Sequence, residues 1–208
     1  SDGVFSKISD TMTPQGILCL VRMPQYRLED LLGEDSGRCR TGSFPGKADS
    51  YGQEAGQNAP HLLILENIQD PGNLGTMMRA GEGAGVTGVI MDGTTVDIFN
   101  PKTIRSTMGS LFRVPFYVAD NLSETIGVLK ESGVLLYAAC LDGAQLYDKP
   151  DYTLPCGFMI GNEANGLRAE TAALADIRIR IPMQGKVESL NAAVASALLM
   201  YEASRQRR

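Results

Sequence analysis

Residues 62–79 read LLILENIQDPGNLGTMMR, and the fold is decided by how this stretch changes character part-way along. Leu62–Glu66 is a short, almost wholly apolar run, the mark of a strand buried on both faces. Asp70 and Pro71 then supply a helix N-cap and a first-turn residue, so a helix is expected near Gly72. A strand that hands over to a helix through a few polar residues is the first half of a β-α-β unit. The alternation continues downstream, with strands expected at Leu62–Glu66, Gly88–Met91, Phe116–Val118, Val134–Ala139, Gly157–Ile160 and Ile177–Ile181, and further helices beginning near Pro101, Ser123 and Arg168. A last helix is expected from Ser189 to about Arg205. Leu190, Val194, Leu198 and Tyr201 share one stripe of it, and alanines at 192, 193, 195 and 197 permit close backbone approach. The pattern specifies an α/β fold, a mainly parallel sheet flanked by helices.

Upstream of this domain the character differs. Gly16–Arg22 (GILCLVR) reads as a short strand, and Gly33–Pro60 is rich in Gly, Ser, Gln and Asn without apolar periodicity, as a linker is. The expected organisation is therefore an N-terminal extension or linker over 1–60 and a folded domain over 61–208. A chain that opens on Ser1 is read as a piece of a longer one.

Composition narrows the function classes. The chain has 208 residues, 43% of them hydrophobic, enough for one well-buried core. No apolar run approaches a membrane span, and no charged-then-apolar leader is present, so a soluble, cytoplasmic protein is expected. Cys19, Cys39, Cys140 and Cys156 are widely spaced and form no C-x-x-C pair, which points to free thiols rather than a zinc or redox site. The single histidine, His61, is expected to be structural, and a Ser-His-Asp triad or histidine metal centre is disfavoured. A net charge of −5 excludes nucleic-acid binding through bulk positive charge. Any such contact must be local, and the acid-free stretch between Asp97 and Asp120, carrying Lys102, Arg105 and Arg113, is one candidate; a solvated face is the plainer reading.

Three segments place small and polar residues where a strand ends, the position at which open α/β sheets bind ligands. In Asn67–Arg79, Asp70 can cap a helix whose free N–H groups face an anion. Asn73 lies about 120° from Arg79 on an ideal helix, so the two share a pocket only if Asn73 precedes regular helix. Otherwise Asp70 and Asn73 cap and Arg79 makes a surface ion pair. In Phe158–Leu167, Gly161 and Gly166 bracket Asn162 and Glu163; a turn accounts for the glycines, not for the carboxylate. In Ile181–Asn191, Ser189 suits an N-cap, while Asn191 is a poor helix former that offers both donor and acceptor. Gly81-Glu-Gly83-Ala-Gly85 falls at a helix end and lacks G-x-G-x-x-G spacing, and no G-x-x-x-x-G-K-[ST] loop occurs.

Taken together, N-x-x-D-P-x-N-x-G-x-x-x-R (Asn67–Arg79), G-N-E-x-x-G (Gly161–Gly166) and I-P-M-x-G-x-x-x-S-L-N (Ile181–Asn191) resemble the ordered signature motifs of the SpoU (TrmH-like) branch of the SPOUT RNA methyltransferases. Asn100–Ser110 is similar to the family's stretch after the second strand, and Ser9–Gly16 to its passage from an N-terminal RNA-binding domain.

The resemblance implies a C-terminal deep trefoil knot, a departure from the rule that chains avoid knots. It implies S-adenosylmethionine cradled by Ile160, Gly161, Asn162, Ile181, Met183, Ser189 and Leu190, with no metal. It further implies a homodimer whose pocket lies near the subunit interface, RNA as substrate with ribosomal RNA favoured over transfer RNA, and transfer to a ribose 2′-hydroxyl. Asn73, Arg79, Glu163, Ser189 and Asn191 are the implied catalytic residues, with the general base left open because guanidinium stays charged. Ala164, where the family often has glycine, and the Gly33–Pro60 insertion depart from the pattern. A non-catalytic RNA-binding protein on the same fold is the rival from another class; a dinucleotide-dependent oxidoreductase is disfavoured by the absent fingerprint.

Overall fold

The computed structural model describes residues 17, 20–32, 59–143 and 145–208. Among them, seven strands form one sheet in which every registered pair is parallel: β1 (His61–Leu65), β2 (Gly88–Asp92), β3 (Phe116–Ala119), β4 (Leu135–Ala139), β5 (Gln145–Leu146), β6 (Cys156–Ile160) and β7 (Ile177–Arg180), in the spatial order β3-β2-β1-β6-β4-β7-β5. β1 is central, pairing with β2 on one side and β6 on the other. All of its residues are buried, because successive side chains point to opposite, equally covered faces.

The helices are α1 (Pro71–Ala84), α2 (Pro101–Thr107), α3 (Leu122–Glu131), α4 (Ala169–Ala172) and α5 (Ala192–Gln206), with 3₁₀ turns at Leu28–Leu31 and Ser110–Phe112. Leu63 and Leu65 of β1 join Leu74, Met77 and Met78 of α1 and Leu199 and Met200 of α5 in one core. Leu62 and Ile64 face the other way, into a core with Ile126 and Leu129 of α3. The expected strands and helix starts are found to within a few residues. The short edge strand β5 and the 3₁₀ turns carry too little periodicity to be read in advance.

Two expectations are corrected. Of Gly16–Arg22, only Ile17 and residues 20–22 are described, and none lies in a strand. Ile17, Leu20 and Val21 are exposed, so the apolar run has no sheet to join. The last helix begins at Ala192, not Ser189, because Asn191 is its N-cap and accepts from the N–H groups of Ala193 and Val194. Its large apolar stripe does not face the core: Val194, Leu198 and Tyr201 are 49%, 39% and 45% exposed. The small-residue side, Ala192, Ala193, Ser196 and Ala203 with Leu199 and Met200, is buried instead, in the close packing that its alanines permit.

Of the residues before β1, Tyr26 and Leu31 pack on the domain. Tyr26 stacks edge-on against Phe116 of β3, and Leu31 is fully buried against Gly88, where any side chain on the glycine would overlap it. Thr87 Oγ1 donates to the Leu31 carbonyl at 3.1 Å. Ser9–Gly16 and nearly all of the Gly33–Pro60 stretch, with Cys19 and Cys39, lie outside the described residues; Cys140 and Cys156 are free thiols. No helix among the described residues is long and apolar enough to cross a membrane.

Candidate active site

The motif segments meet at the carboxyl ends of the strands. β1 ends at Leu65, and Asn67 turns the chain in the left-handed region (φ 55°), a conformation asparagine tolerates better than most residues. Asp70 caps α1, accepting from the Asn73 N–H at 2.8 Å, with Pro71 in the first turn as expected. β6 ends at Ile160 and opens into the Gly161–Gly166 loop. Gly161 admits no side chain, since a Cβ there would sit 2.1 Å from the Gly166 carbonyl carbon and the Leu167 nitrogen. The Gly166 N–H donates to the Asn162 carbonyl at 2.8 Å, and Asn162 Oδ1 accepts from Ala164 N and Asn165 N. Ala164 is not among the positive-φ residues, so the absence of glycine there costs the loop nothing.

Glu163 is the hub. Its Oε2 accepts from Gln69 N at 3.1 Å, and its Oε1 accepts from Asp70 N at 3.1 Å and from Asn73 Nδ2 at 3.0 Å. Asn73 Oδ1 in turn accepts from Asn191 Nδ2 at 3.0 Å. A relay Glu163–Asn73–Asn191 thus joins all three motifs. Partial burial works to raise the Glu163 pKa, but the Asn73 amide and the backbone N–H groups of Asp70 and Gln69 outweigh it and hold the carboxyl below its ordinary value. Glu163 is therefore an anion at neutral pH with both oxygens engaged.

Beside this relay lies a cavity of about 450 Å³, at the carboxyl ends of β4, β6 and β7, a size in the range of roughly 300–1,000 Å³ typical of small-molecule sites. Every residue expected to cradle a cofactor lines it: Ile160, Gly161, Asn162, Ile181, Met183, Ser189 and Leu190. Glu163 lines it too, whereas Asn73, Asn191 and Arg79 do not. Asn73 sits inside regular helix, so the angular separation from Arg79 holds. Arg79 is exposed on α1 and makes no hydrogen bond or ion pair with the described residues. Ser189 is exposed at the cavity wall and caps nothing.

Sequence reasoning missed part of the wall. Ala139, Cys140, Leu141 and Asp142 line it where β4 ends, as does Arg178 of β7, which pairs with Asp142 at 3.8 Å. The available signal was position: residues just past a strand's carboxyl end are where such sheets bind ligands. The acid-free basic segment is partly neutralised from outside itself, Lys102 by Asp70 at 3.4 Å and Arg113 by Glu82.

Residues 60–201 match the SpoU rRNA Methylase family. The chain belongs to that family. Over 97% of its length it is 33% identical to the 23S rRNA (guanosine(2553)-2′-O)-methyltransferase RlmP of Bacillus subtilis, spanning 69% of that protein. Over 74% of its length it is 34% identical to the 23S rRNA (guanosine-2′-O-)-methyltransferase RlmB of Xanthomonas campestris pv. campestris, spanning 62% of it. The crystal structure of the SpoU methyltransferase AviRb from Streptomyces viridochromogenes in complex with AdoMet superposes with a TM-score of 0.67 at 32% identity, over 70% of this chain and 60% of that one. The SpoU chain described here is thus similar to the larger part of each relative, not to its whole length.

Proposed function

We propose that this SpoU chain is the catalytic domain of an S-adenosylmethionine-dependent RNA methyltransferase, acting in the cytoplasm on a ribose 2′-hydroxyl, with ribosomal RNA the preferred substrate. The observation that carries the reading is the coincidence of the cavity with the second and third motifs, and of the Glu163–Asn73–Asn191 relay with its edge.

The cavity fits a nucleoside-type sulfonium. Ile160, Ile181, Leu190 and Leu199 give apolar walls for a purine, the loops around Gly161 and Met183 give backbone, and the Glu163 and Asp142 carboxylates suit a positively charged ligand. Bound there, S-adenosylmethionine supplies an electrophilic methyl group, so the chemistry asked of the protein is alignment and proton removal. Gly161 and Asn162 hold the loop shape. Glu163 orders the pocket by fixing Gln69, Asp70 and Asn73. Asn73, Asn191 and Ser189 orient the reacting groups. Arg79, a permanent cation on an exposed helix face, holds an RNA phosphate and stabilises the developing alkoxide.

The active form is a homodimer. Val194, Leu198 and Tyr201 make an exposed apolar stripe at helical spacing, the kind of surface a partner covers. Tyr201 Oη lies against Gly83 of α1, which shares a face with Arg79 one turn earlier, so a second copy on this stripe brings Arg79 to the interface. After β7 the chain returns past the Gly161 loop to pack α5 on α1, a path that supports the trefoil knot. The domain over 61–208 is the catalytic unit, with the segment from Tyr26 to Leu32 docked on it.

The test is transfer of a labelled methyl group from S-adenosylmethionine to ribosomal and transfer RNA, with the modified ribose mapped. Arg79→Ala is expected to abolish transfer and leave cofactor affinity within a few-fold; Asn191→Ala is expected to impair both. Calorimetry that detects RNA binding but no S-adenosylmethionine binding would favour a non-catalytic RNA-binding protein.

A further inference from the structure

We propose that Asp92, with Thr95 beside it, is a positioning residue for the methyl-transfer site, its buried carboxylate fixing the Asn67–Asp70 backbone in the conformation that engages Glu163. Asp92 does not line the cavity, and its hydrogen bonds go to the Asn67 backbone, Thr94 and Thr95 rather than to a motif side chain. It ends β2, one strand over from the strand that leads into the first motif. Its side chain is 7% exposed and accepts from Asn67 N at 2.9 Å, Thr95 N at 3.0 Å, Thr95 Oγ1 at 2.7 Å and Thr94 Oγ1 at 2.5 Å.

The bond to Asn67 is the consequential one. Asn67 is one of two non-glycine residues with positive φ among those described, and a residue held there needs its surroundings to specify the conformation. The β2 end supplies that specification three times over. Asp92 takes the Asn67 N–H, Thr95 Oγ1 takes the Ile68 N–H at 3.2 Å, and Val96 N returns a bond to the Ile68 carbonyl at 2.8 Å. Gln69 Nε2 adds a bond to the Thr94 carbonyl at 2.8 Å.

On the opposite side, the same short backbone faces the cofactor loop. Asn162 Nδ2 donates to the Asn67 carbonyl at 2.9 Å, and the next N–H groups, of Gln69 and Asp70, go to Glu163. The Asn67–Asp70 segment is therefore strung between the hydrogen-bonded turn after β2 and the Gly161–Gly166 loop. Releasing it at Asp92 lets Asn67 relax out of the left-handed region and turns both Glu163 donors away together. Burial raises the Asp92 pKa, but the Thr94, Asn67 and Thr95 hydrogen bonds outweigh it, so the group is charged and at full acceptor strength at neutral pH.

The inference rests on the methyl-transfer reading, and the experiment keeps the two separable. Asp92→Ala, Asp92→Asn and Thr95→Val are compared with wild type by amide hydrogen exchange over 61–74, by calorimetry with S-adenosylmethionine, and by kcat and KM on ribosomal RNA. Asp92→Ala is expected to lose protection at Asn67, Gln69 and Asp70 while the β1 amides stay protected, and to lose about 100-fold in kcat with KM nearly unchanged, the size of a misplacement of about 1 Å. Asp92→Asn, whose carbonyl oxygen still accepts from both backbone N–H groups, is expected to recover most of that loss. Thr95→Val keeps Asp92 and is the variant to use if Asp92→Ala does not fold; a smaller kcat loss with the same local exchange is expected. Unchanged kcat in folded Asp92→Ala or Thr95→Val overturns the inference, as does a kcat loss that merely follows the folded fraction with protection falling evenly across the sheet. A wild-type protein that transfers no methyl group overturns the functional reading instead, and the exchange pattern still decides the brace.

Discussion

Asn73→Asp inverts the central link of the relay with almost no change of shape. The introduced carboxylate keeps an acceptor for Asn191 Nδ2, at 3.0 Å in the native pair, but replaces the Nδ2 donor that lies 3.0 Å from Glu163 Oε1 with a second negative oxygen. Losing a hydrogen bond to a charged acceptor costs about 1.5–3 kcal/mol. Two like charges at about 4 Å repel by roughly 1 kcal/mol in water and about 4 kcal/mol in a partly protein environment; both groups are half-buried, so about 2 kcal/mol is reasonable. The sum is about 4 kcal/mol at neutral pH, or roughly 8–16 °C in Tm for a chain of this size. Asn73→Ala loses that bond and also the acceptor for Asn191 Nδ2, but it adds no charge, so its deficit of about 2–4 kcal/mol carries no repulsion. The sign with pH separates them. Crowding two carboxylates raises the upper pKa of the pair above the ordinary range, so the penalty is full above that value and disappears as pH falls through it, when the captured proton restores a donor between the oxygens. Melting curves from about pH 8 to about pH 5 should show the Asn73→Asp deficit shrinking relative to wild type while that of Asn73→Ala stays level. Equal deficits at every pH would refute the placement of Asn73 Nδ2 on an ionised Glu163.

Three further outcomes are expected. His61 is buried with Nε2 unpaired, and desolvation with the nearby Arg207 charge takes its pKa from 6.5 to about 3. The unfolded chain therefore binds the proton first: stability is full above pH 6.5 and falls as pH drops toward 3, by about 1.4 kcal/mol per unit. Urea denaturation between about pH 7.5 and about pH 5 should show that slope and its loss in His61→Phe. Leu31→Ala, which empties a fully buried site against Gly88, should cost about 2–5 kcal/mol in the same assay; a change near zero would mean the segment before β1 is not part of the folded unit. Gly161→Ala would force a Cβ to within 2.1 Å of the Gly166 backbone, so calorimetry should register weaker S-adenosylmethionine binding by at least about tenfold, with Ala164→Gly close to wild type.

Much of this architecture was legible because its signals are local. The apolar runs of β1, β2 and β6 are buried on both faces and stand out without any partner being known. Asp70-Pro71 announces α1 unaided. The failures are equally physical. GILCLVR at Gly16–Arg22 has a strand's composition, but a strand needs a partner, and the described part of this run pairs with neither edge of the sheet, β3 or β5. Ser189 and Asn191 are both competent caps two positions apart; the choice falls to Asn191 because its amide also reaches Asn73, a contact across 118 residues. Likewise the exposure of Val194, Leu198 and Tyr201 cannot be read from periodicity, which gives the same stripe whether it meets a core or solvent. The Glu163 donors lie 90 to 94 residues away, so local pattern alone offers only a carboxylate after a strand, and its place in the site came from the family resemblance.

That role bears on how a ribose hydroxyl could lose its proton here. The one histidine is at the start of β1, the end of the sheet opposite the cavity, and is held neutral by burial. Glu163 is at the cavity, but its oxygens are committed to Gln69, Asp70 and Asn73 and its pKa is held down, which makes it a weak base as well as an occupied one. Asp70 is likewise lowered, by the Asn73 N–H it caps and by Lys102. A general base works best with a pKa near the operating pH, and none of these groups is tuned that way. The site is organised instead to keep carboxylates ionised and amides aimed, which is the arrangement that favours alignment over proton abstraction. On the proposed reading the hydroxyl proton would leave late, to solvent or to an RNA phosphate that Arg79 would hold, and the rate would depend on how firmly the Asn67–Asn73 segment is held against the Gly161 loop.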